Sequence, residues 1–164
     1  MKKTRLLVAL LLIAALALSL AACSKKTPAT VEQFQNEVKE RGYEEVVIDL
    51  DTVDETTRAT IDQVSAAMKL VDDNPSCSAR FYVAKNENSA KNLFAGIKPL
   101  AENTAEGGVK TQAEVNLRNY NYYRVKGDSM ICVLARIDNT LLYLQADNAL
   151  EDEVDDIVKT LGYK

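Results

Sequence analysis

From residue 30 onwards, apolar positions recur first every three or four residues, then every second one, and the alternation repeats down the chain. Val31, Phe34 and Val38 fall on one side of a 3.6-residue period. Thr30 and Gln33 match the S/T-x-x-E/Q capping box, and Gly42 stands where a helix ends on a left-handed residue, so a helix is predicted over 30–41. EEVVIDL predicts a first strand over 44–50. Residues 51–72 carry two patterns at once. Thr52 and Glu55 make a second capping-box match, and Ile61, Val64, Met68 and Val71 keep helical spacing. Yet AAMKLVDDNPSCSARFYVAK also reads as a hairpin turning at Asn74-Pro75. The expectation is a short helix near 53–63, a strand near 66–72, and a strand over 78–84 with Ala79, Phe81 and Val83 on one face.

Leu93, Phe94, Ile97 and Leu100 predict a helix over 89–102, capped by Asn88 or Ser89, which Pro99 should kink or end early. ENTAEGGVKTQ, 102–112, reads as a polar loop. Three strands are expected at 114–126, 129–137 and 140–146, with Gly127-Asp128 and Asp138-Asn139 as two-residue turns. A last helix, 149–161, buries Val154, Ile157, Val158 and Leu161, and its opening acids EDEVDD lie over the positive end of the helix dipole. VKERGY (38–43) and VKTLGY (158–163) read as one capping solution used twice: glycine to stop, an aromatic to pack back. The order points to an α+β fold. It is a single domain with an antiparallel sheet of about five to six strands and helices packed on one or both faces.

Two-residue turns would set Tyr122 opposite Val133, Tyr123 opposite Cys132, and Val133 opposite Leu144. One face then carries Tyr120, Tyr122, Arg124, Ile131, Val133, Ala135, Ile137, Leu142 and Leu144, and becomes the main core. The other mixes Asn119, Asn121, Arg136 and Gln145 with Tyr123 and Tyr143. Tyrosine with amides and one arginine is a composition found at recognition surfaces. Those six are therefore the candidate ligand-binding residues, for a protein, a peptide or a glycan. The competing reading is a sheet face half covered by a helix, which Cys132, Leu134 and Leu141 support. A one-residue slip in either turn would exchange the faces.

The start of the chain adds a location. In MKKTRLLVALLLIAALALSLAAC a positive stretch precedes an almost unbroken apolar run and then small residues, the pattern of a secretory signal peptide. The run is shorter than the roughly 20 apolar residues of a spanning helix. Leu20-Ala21-Ala22-Cys23 resembles the lipobox of bacterial lipoproteins. That resemblance implies cleavage before Cys23 and acylation of its thiol. Residues 1–22 are then the signal peptide, 23–29 the lipidated cysteine and a short tether, and 30–164 the domain. Several acyl chains on one residue give a stable anchor, here on the extracytoplasmic side of a cell membrane. Some six residues of linker reach at most about 20 Å, so the domain should sit near the bilayer, with Lys25 and Lys26 at anionic headgroups. The domain itself resembles small single-domain bacterial lipoproteins in type only.

Removing Lys2, Lys3 and Arg5 leaves 17 basic residues against 24 acidic ones, a formal charge of −7. Such a chain is a poor partner for nucleic acid. It has no histidine, which removes Ser-His-Asp and Cys-His catalysis and the usual zinc sites. No glycine motif for cradling phosphates is present. Neither a metal nor a cofactor is expected. Asp49, Asp51, Asp54 and Glu55 lack EF-hand spacing and read as loop acids that cap a helix. The leading expectation is a non-catalytic binding module. The alternatives are a structural or assembly subunit of an envelope complex, or a carboxylate-based envelope hydrolase. Outside the cytoplasm a Cys77–Cys132 disulfide is permitted, but two separate buried thiols are the favoured reading.

Overall fold

Two antiparallel meanders meet edge to edge. The structure, a computed structural model, describes residues 25–50, 55–72, 74–105 and 111–164. In chain order the elements are α1 (Val31–Glu40), β1 (Glu44–Val46), α2 (Glu55–Thr60), β2 (Ile61–Val71), β3 (Asn74–Ala84), α3 (Glu87–Thr104), β4 (Thr111–Asn116), β5 (Tyr120–Lys126), β6 (Met130–Ile137), β7 (Thr140–Asp147) and α4 (Glu151–Thr160), the last entered through a 3-10 turn at Asn148–Leu150. The sheet order is β1-β2-β3-β7-β6-β5-β4. The α+β class is as expected, with seven strands in place of five or six.

The additional strand comes from the tyrosine-rich segment. The single strand expected over 114–126 is two, β4 and β5, folded about a tight turn in which Leu117 N donates to the Tyr120 carbonyl at 2.7 Å. Asn119 therefore lies in a turn. The β6–β7 hairpin turns at Asp138-Asn139, with Asp138 at φ +49° and Val133 opposite Leu144. The β5–β6 hairpin turns one residue later than expected, at Asp128-Ser129, with the Gly127 N–H donating to the Met130 carbonyl at 2.9 Å. Residues 127–130 lie between its last pair, Lys126 and Ile131, and Tyr122 stands opposite Ala135. The register is two positions from that expected, and because side chains alternate with period two the faces are unchanged.

Each face has its own cover. Phe34 and Val38 of α1 and Val154, Ile157 and Val158 of α4 pack on Tyr120, Tyr122, Ile131, Val133, Leu142 and Leu144. On the opposite face Phe94, Ile97 and Ala101 of α3 pack on Tyr123, Val125, Cys132, Leu134, Leu141 and Tyr143. Cys77 belongs to the first core and Cys132 to the second, so the sheet separates the two free thiols.

Both covering helices on the first face close alike. Gly42 (φ +79°) and Gly162 (φ +80°) take the left-handed position. The Tyr43 N–H returns to the Val38 carbonyl and the Tyr163 N–H to the Val158 carbonyl, which makes two Schellman motifs. The acids of α4 do more than meet the helix dipole. Glu151 pairs with Arg124 and Lys126, and Glu153 with Lys69 at 2.6 Å. α3 starts earlier than expected, with Asn86 capping the Ser89 N–H, and it runs through Pro99 to Thr104. Proline there removes only the bond to the Ala95 carbonyl, on the exposed side of the helix.

Residues 25–29, expected as tether, lie on the domain. Lys25 Nζ pairs with Asp138 at 3.2 Å. Lys26 Nζ donates to the Gly162 carbonyl and stands 4.7 Å over the Tyr120 ring, while Asn119 Nδ2 donates to the Lys26 carbonyl. Ala29 is buried. Lys26 is thus committed to the protein, where a headgroup contact was expected. Cys23, Asp51 and Asp54 lie outside the described residues. No helix among the described residues is long and apolar enough to cross a membrane.

Candidate functional site

The six residues singled out from the sequence share a face but do not form an open surface. Arg136 is fully buried. Its Nε donates to Asn121 Oδ1 at 2.6 Å, Nη1 to the Asp138 carbonyl at 2.7 Å and Nη2 to the Arg118 carbonyl at 3.4 Å. Asn121 passes the chain on to Asn116 Oδ1, and Asn119 holds Lys26. These three residues brace turns. Tyr123 lies under α3, donating to Glu102 at 3.0 Å with Lys98 over its ring. Tyr143 is buried too, its hydroxyl donating to Gln145 at 3.3 Å. Burial pushes the Tyr123 and Tyr143 hydroxyls well above the usual tyrosine range and pulls the Arg136 guanidinium down. The helix-covered reading describes this half of the face.

α3 lies over β5, β6 and β7 and reaches the near edge of β3, where Tyr82 packs against the core beneath it. Among the described residues no long helix lies over β2 or the far side of β3. The roof there, among the same residues, is α2 and the irregular chain at 47–50, where Val47 is 90% exposed. Beneath that roof the strands carry small residues, because Ser65-Ala66-Ala67 fills the centre of β2. The result is a depression on each side of the sheet. One, of about 400 Å³, lies between α1 and β2 and mixes Gln35, Asn36, Lys39 and Glu45 with Tyr43 and Ala67. The other, of about 250 Å³, is a groove lined by Val46, Ile48, Leu50, Ile61, Val64 and Met68, with Arg80 and Tyr82 of β3 in its wall.

The second depression is the candidate site. Arg80 is exposed and makes no ion pair among the described residues, in contrast to Arg41, Arg124 and Arg136. It lies beside Tyr82 and opposite Tyr143 in the ladder, and burial raises both hydroxyl pKa values. Gln145, two residues on, stands opposite Ser78 at the same end. None of the six expected residues lines the groove; Tyr143 and Gln145 stand on the neighbouring strand, opposite its wall residues Arg80 and Ser78. A cation in an apolar trough can hold an anionic group whose neighbours are apolar. The hydroxyls of Thr57, Ser78 and Tyr82 line it. Sequence reasoning missed Arg80 and Tyr82. Placing Ala79, Phe81 and Val83 on the core side leaves these two with Ser78 on the mixed face, which was the available signal.

No family model and no curated protein matches the chain. Among solved structures, a GTP binding regulator from Thermotoga maritima is similar at 14% identity, over 81% of this chain and 87% of that one, with a TM-score of 0.47. That likeness is too slight to carry an argument about function.

Proposed function

We propose that this chain is a lipid-anchored, extracytoplasmic binding module, without catalytic activity of its own, that takes an acidic amphipathic protein segment into the β2–β3 groove. The anchor rests on Leu20-Ala21-Ala22-Cys23. The observation that carries the binding site is Arg80, an arginine without an ion-pair partner among the described residues, in the wall of an open apolar groove. Interfaces concentrate their energy where an apolar anchor fills a pocket beside an arginine. The volume favours a peptide over a small molecule. About 250 Å³ is below the roughly 300 Å³ at which small-molecule pockets begin, and suits one or two anchoring side chains of a larger partner. The overall negative charge makes an acidic partner selective. Such a segment is repelled by most of the surface and held at one place.

A photoreactive residue at Val46, on the groove rim, tests this in the full-length lipoprotein in cells, with the same residue at Lys159 on α4 as control. A discrete protein adduct is expected at 46 and not at 159, and Arg80→Glu should abolish it. An adduct at 46 that survives Arg80→Glu, or none at all, refutes the proposed site.

A further inference from the structure

The turn between β4 and β5 displays an unusual pairing of exposure and rigidity. Leu117 is 61% exposed at its tip, with exposed Arg118 beside it. An exposed leucine in a loose loop needs no explanation. This one is held from three sides. The Leu117 N–H bonds to the Tyr120 carbonyl, the Arg118 carbonyl accepts from fully buried Arg136, and the Asn119 carbonyl accepts from the Asp138 N–H at 2.8 Å. The fold therefore commits a buried arginine to presenting this tip.

The same pole receives the start of the described chain. Lys25 is fixed to Asp138 and Lys26 to Asn119, Tyr120 and Gly162. Cys23 is two residues before Lys25. Two residues span about 7 Å at most, against the roughly 20 Å of a six-residue linker. An acyl chain on Cys23 could not leave the domain free to tumble. It would draw the pole bearing Lys25, Leu117 and Arg118 down onto the lipid. The chemistry of that pole agrees. Arg118 and Lys25 flank the tip, and among the described residues Asp138 is paired to Lys25 and Glu87, which feels Arg118, is paired to Lys91.

We propose that the Leu117–Asn119 turn is a membrane contact: Leu117 enters the interfacial layer and Arg118 meets lipid phosphates, so that the domain stands on the bilayer in one fixed orientation. This rests on the lipid anchor of the proposed function and is independent of the groove. One leucine does not hold a protein on a membrane, because a single side chain buries too little apolar area. With the anchor supplying attachment, the turn only has to choose the orientation, for which this is enough.

The chain contains no tryptophan, so a single one reports cleanly. Full-length acylated protein carrying Leu117→Trp is reconstituted into phosphatidylethanolamine/phosphatidylglycerol vesicles with brominated acyl chains. Val71→Trp, at the far end of β2, is the control. Val71 and the Ile61 end of that strand are separated by about 30 Å at strand rise. Vesicle flotation is scored first. The expected result is protein that floats, with indole emission from Leu117→Trp shifted to shorter wavelength and reduced about twofold or more, for a side chain about 5–10 Å into the interface, while emission from Val71→Trp is unchanged. Protein that floats with the Leu117→Trp emission unquenched, or with both variants quenched alike, overturns the orientation and leaves the anchor standing. Protein that does not float overturns the anchor and the orientation with it.

Discussion

Replacing Arg136 by methionine separates the two arginines of the mixed face. The substitution keeps most of the buried aliphatic volume and removes every donor. Three acceptors then lose their partner: Asn121 Oδ1 and the carbonyls of Asp138 and Arg118. A dry, unpaired acceptor costs about 1–3 kcal/mol. Asn121 and Asp138 are only half-buried and recover some water, while the Glu87 carboxylate, 3.7 Å away and largely exposed, contributes little. The expected loss is about 2–4 kcal/mol, a large part of the roughly 5–15 kcal/mol that a domain has. Urea unfolding of the mature chain, followed by circular dichroism, measures it as a lower midpoint with unchanged slope. Arg136→Lys should recover little, since one ammonium cannot span three acceptors set for a planar fork. Arg80→Met, at an exposed position without an ion pair, should stay within about 0.5 kcal/mol of the parent. A loss below about 1 kcal/mol in Arg136→Met, or equal losses in the two methionine variants, would refute the assignment of Arg136 to structure and Arg80 to binding.

Two further outcomes follow from the cores and caps. Burial raises both thiols from 9.0 to about 11, so the folded chain holds those protons after the unfolded chain has released them. Their stabilising contribution is complete below pH 9 and is lost as pH rises towards 11, by about 2–3 kcal/mol for each thiol. Urea midpoints that hold level from about pH 8.5 to about 10.5 would contradict it. Gly162→Ala meets no atom within 4 Å of the added methyl group and still has to hold φ +80°, so thermal unfolding should reveal a backbone cost of about 1–2 kcal/mol.

What the sequence disclosed depended on whether a signal was local. The capping box at Thr30 and Gln33 is present in full, because both its bonds lie within four residues. Gly42 and Gly162 were legible for the same reason. Asp138-Asn139 specified its turn, and Gly127-Asp128 did not, because the turn falls one residue later, at Asp128-Ser129, and is held from outside. Asn148 donates to the carbonyls of Gly127 and Asp128. At 117–119 the local signal was weak: Asn116 and Asn119 suit a turn, while Leu117 and Arg118 do not. The Arg118 carbonyl is braced by Arg136, 18 residues away. Ile61, Val64, Met68 and Val71 fitted a helix and a strand equally. Pairing with β3 decides for the strand, and a bulge between Ile61 and Gln63 accommodates the irregular spacing. The candidate groove was the least legible feature. It exists because α3 reaches only the near edge of β3 and does not cover β2, and the reach of a helix across a sheet is written in no single segment.

The contact between Lys26 and the Gly162 carbonyl has a practical meaning. Lys26 and the last turn meet at one pole, so a fluorescent protein or epitope fused after Lys164 would be carried to the same end as the proposed lipid anchor. If the proposed membrane contact holds, the fusion would compete there with the Leu117 tip for space against the lipid and lever the domain away from it. The loop at 127–129, at the other end of β5, is the place for an insertion that leaves the stance of the molecule as it is.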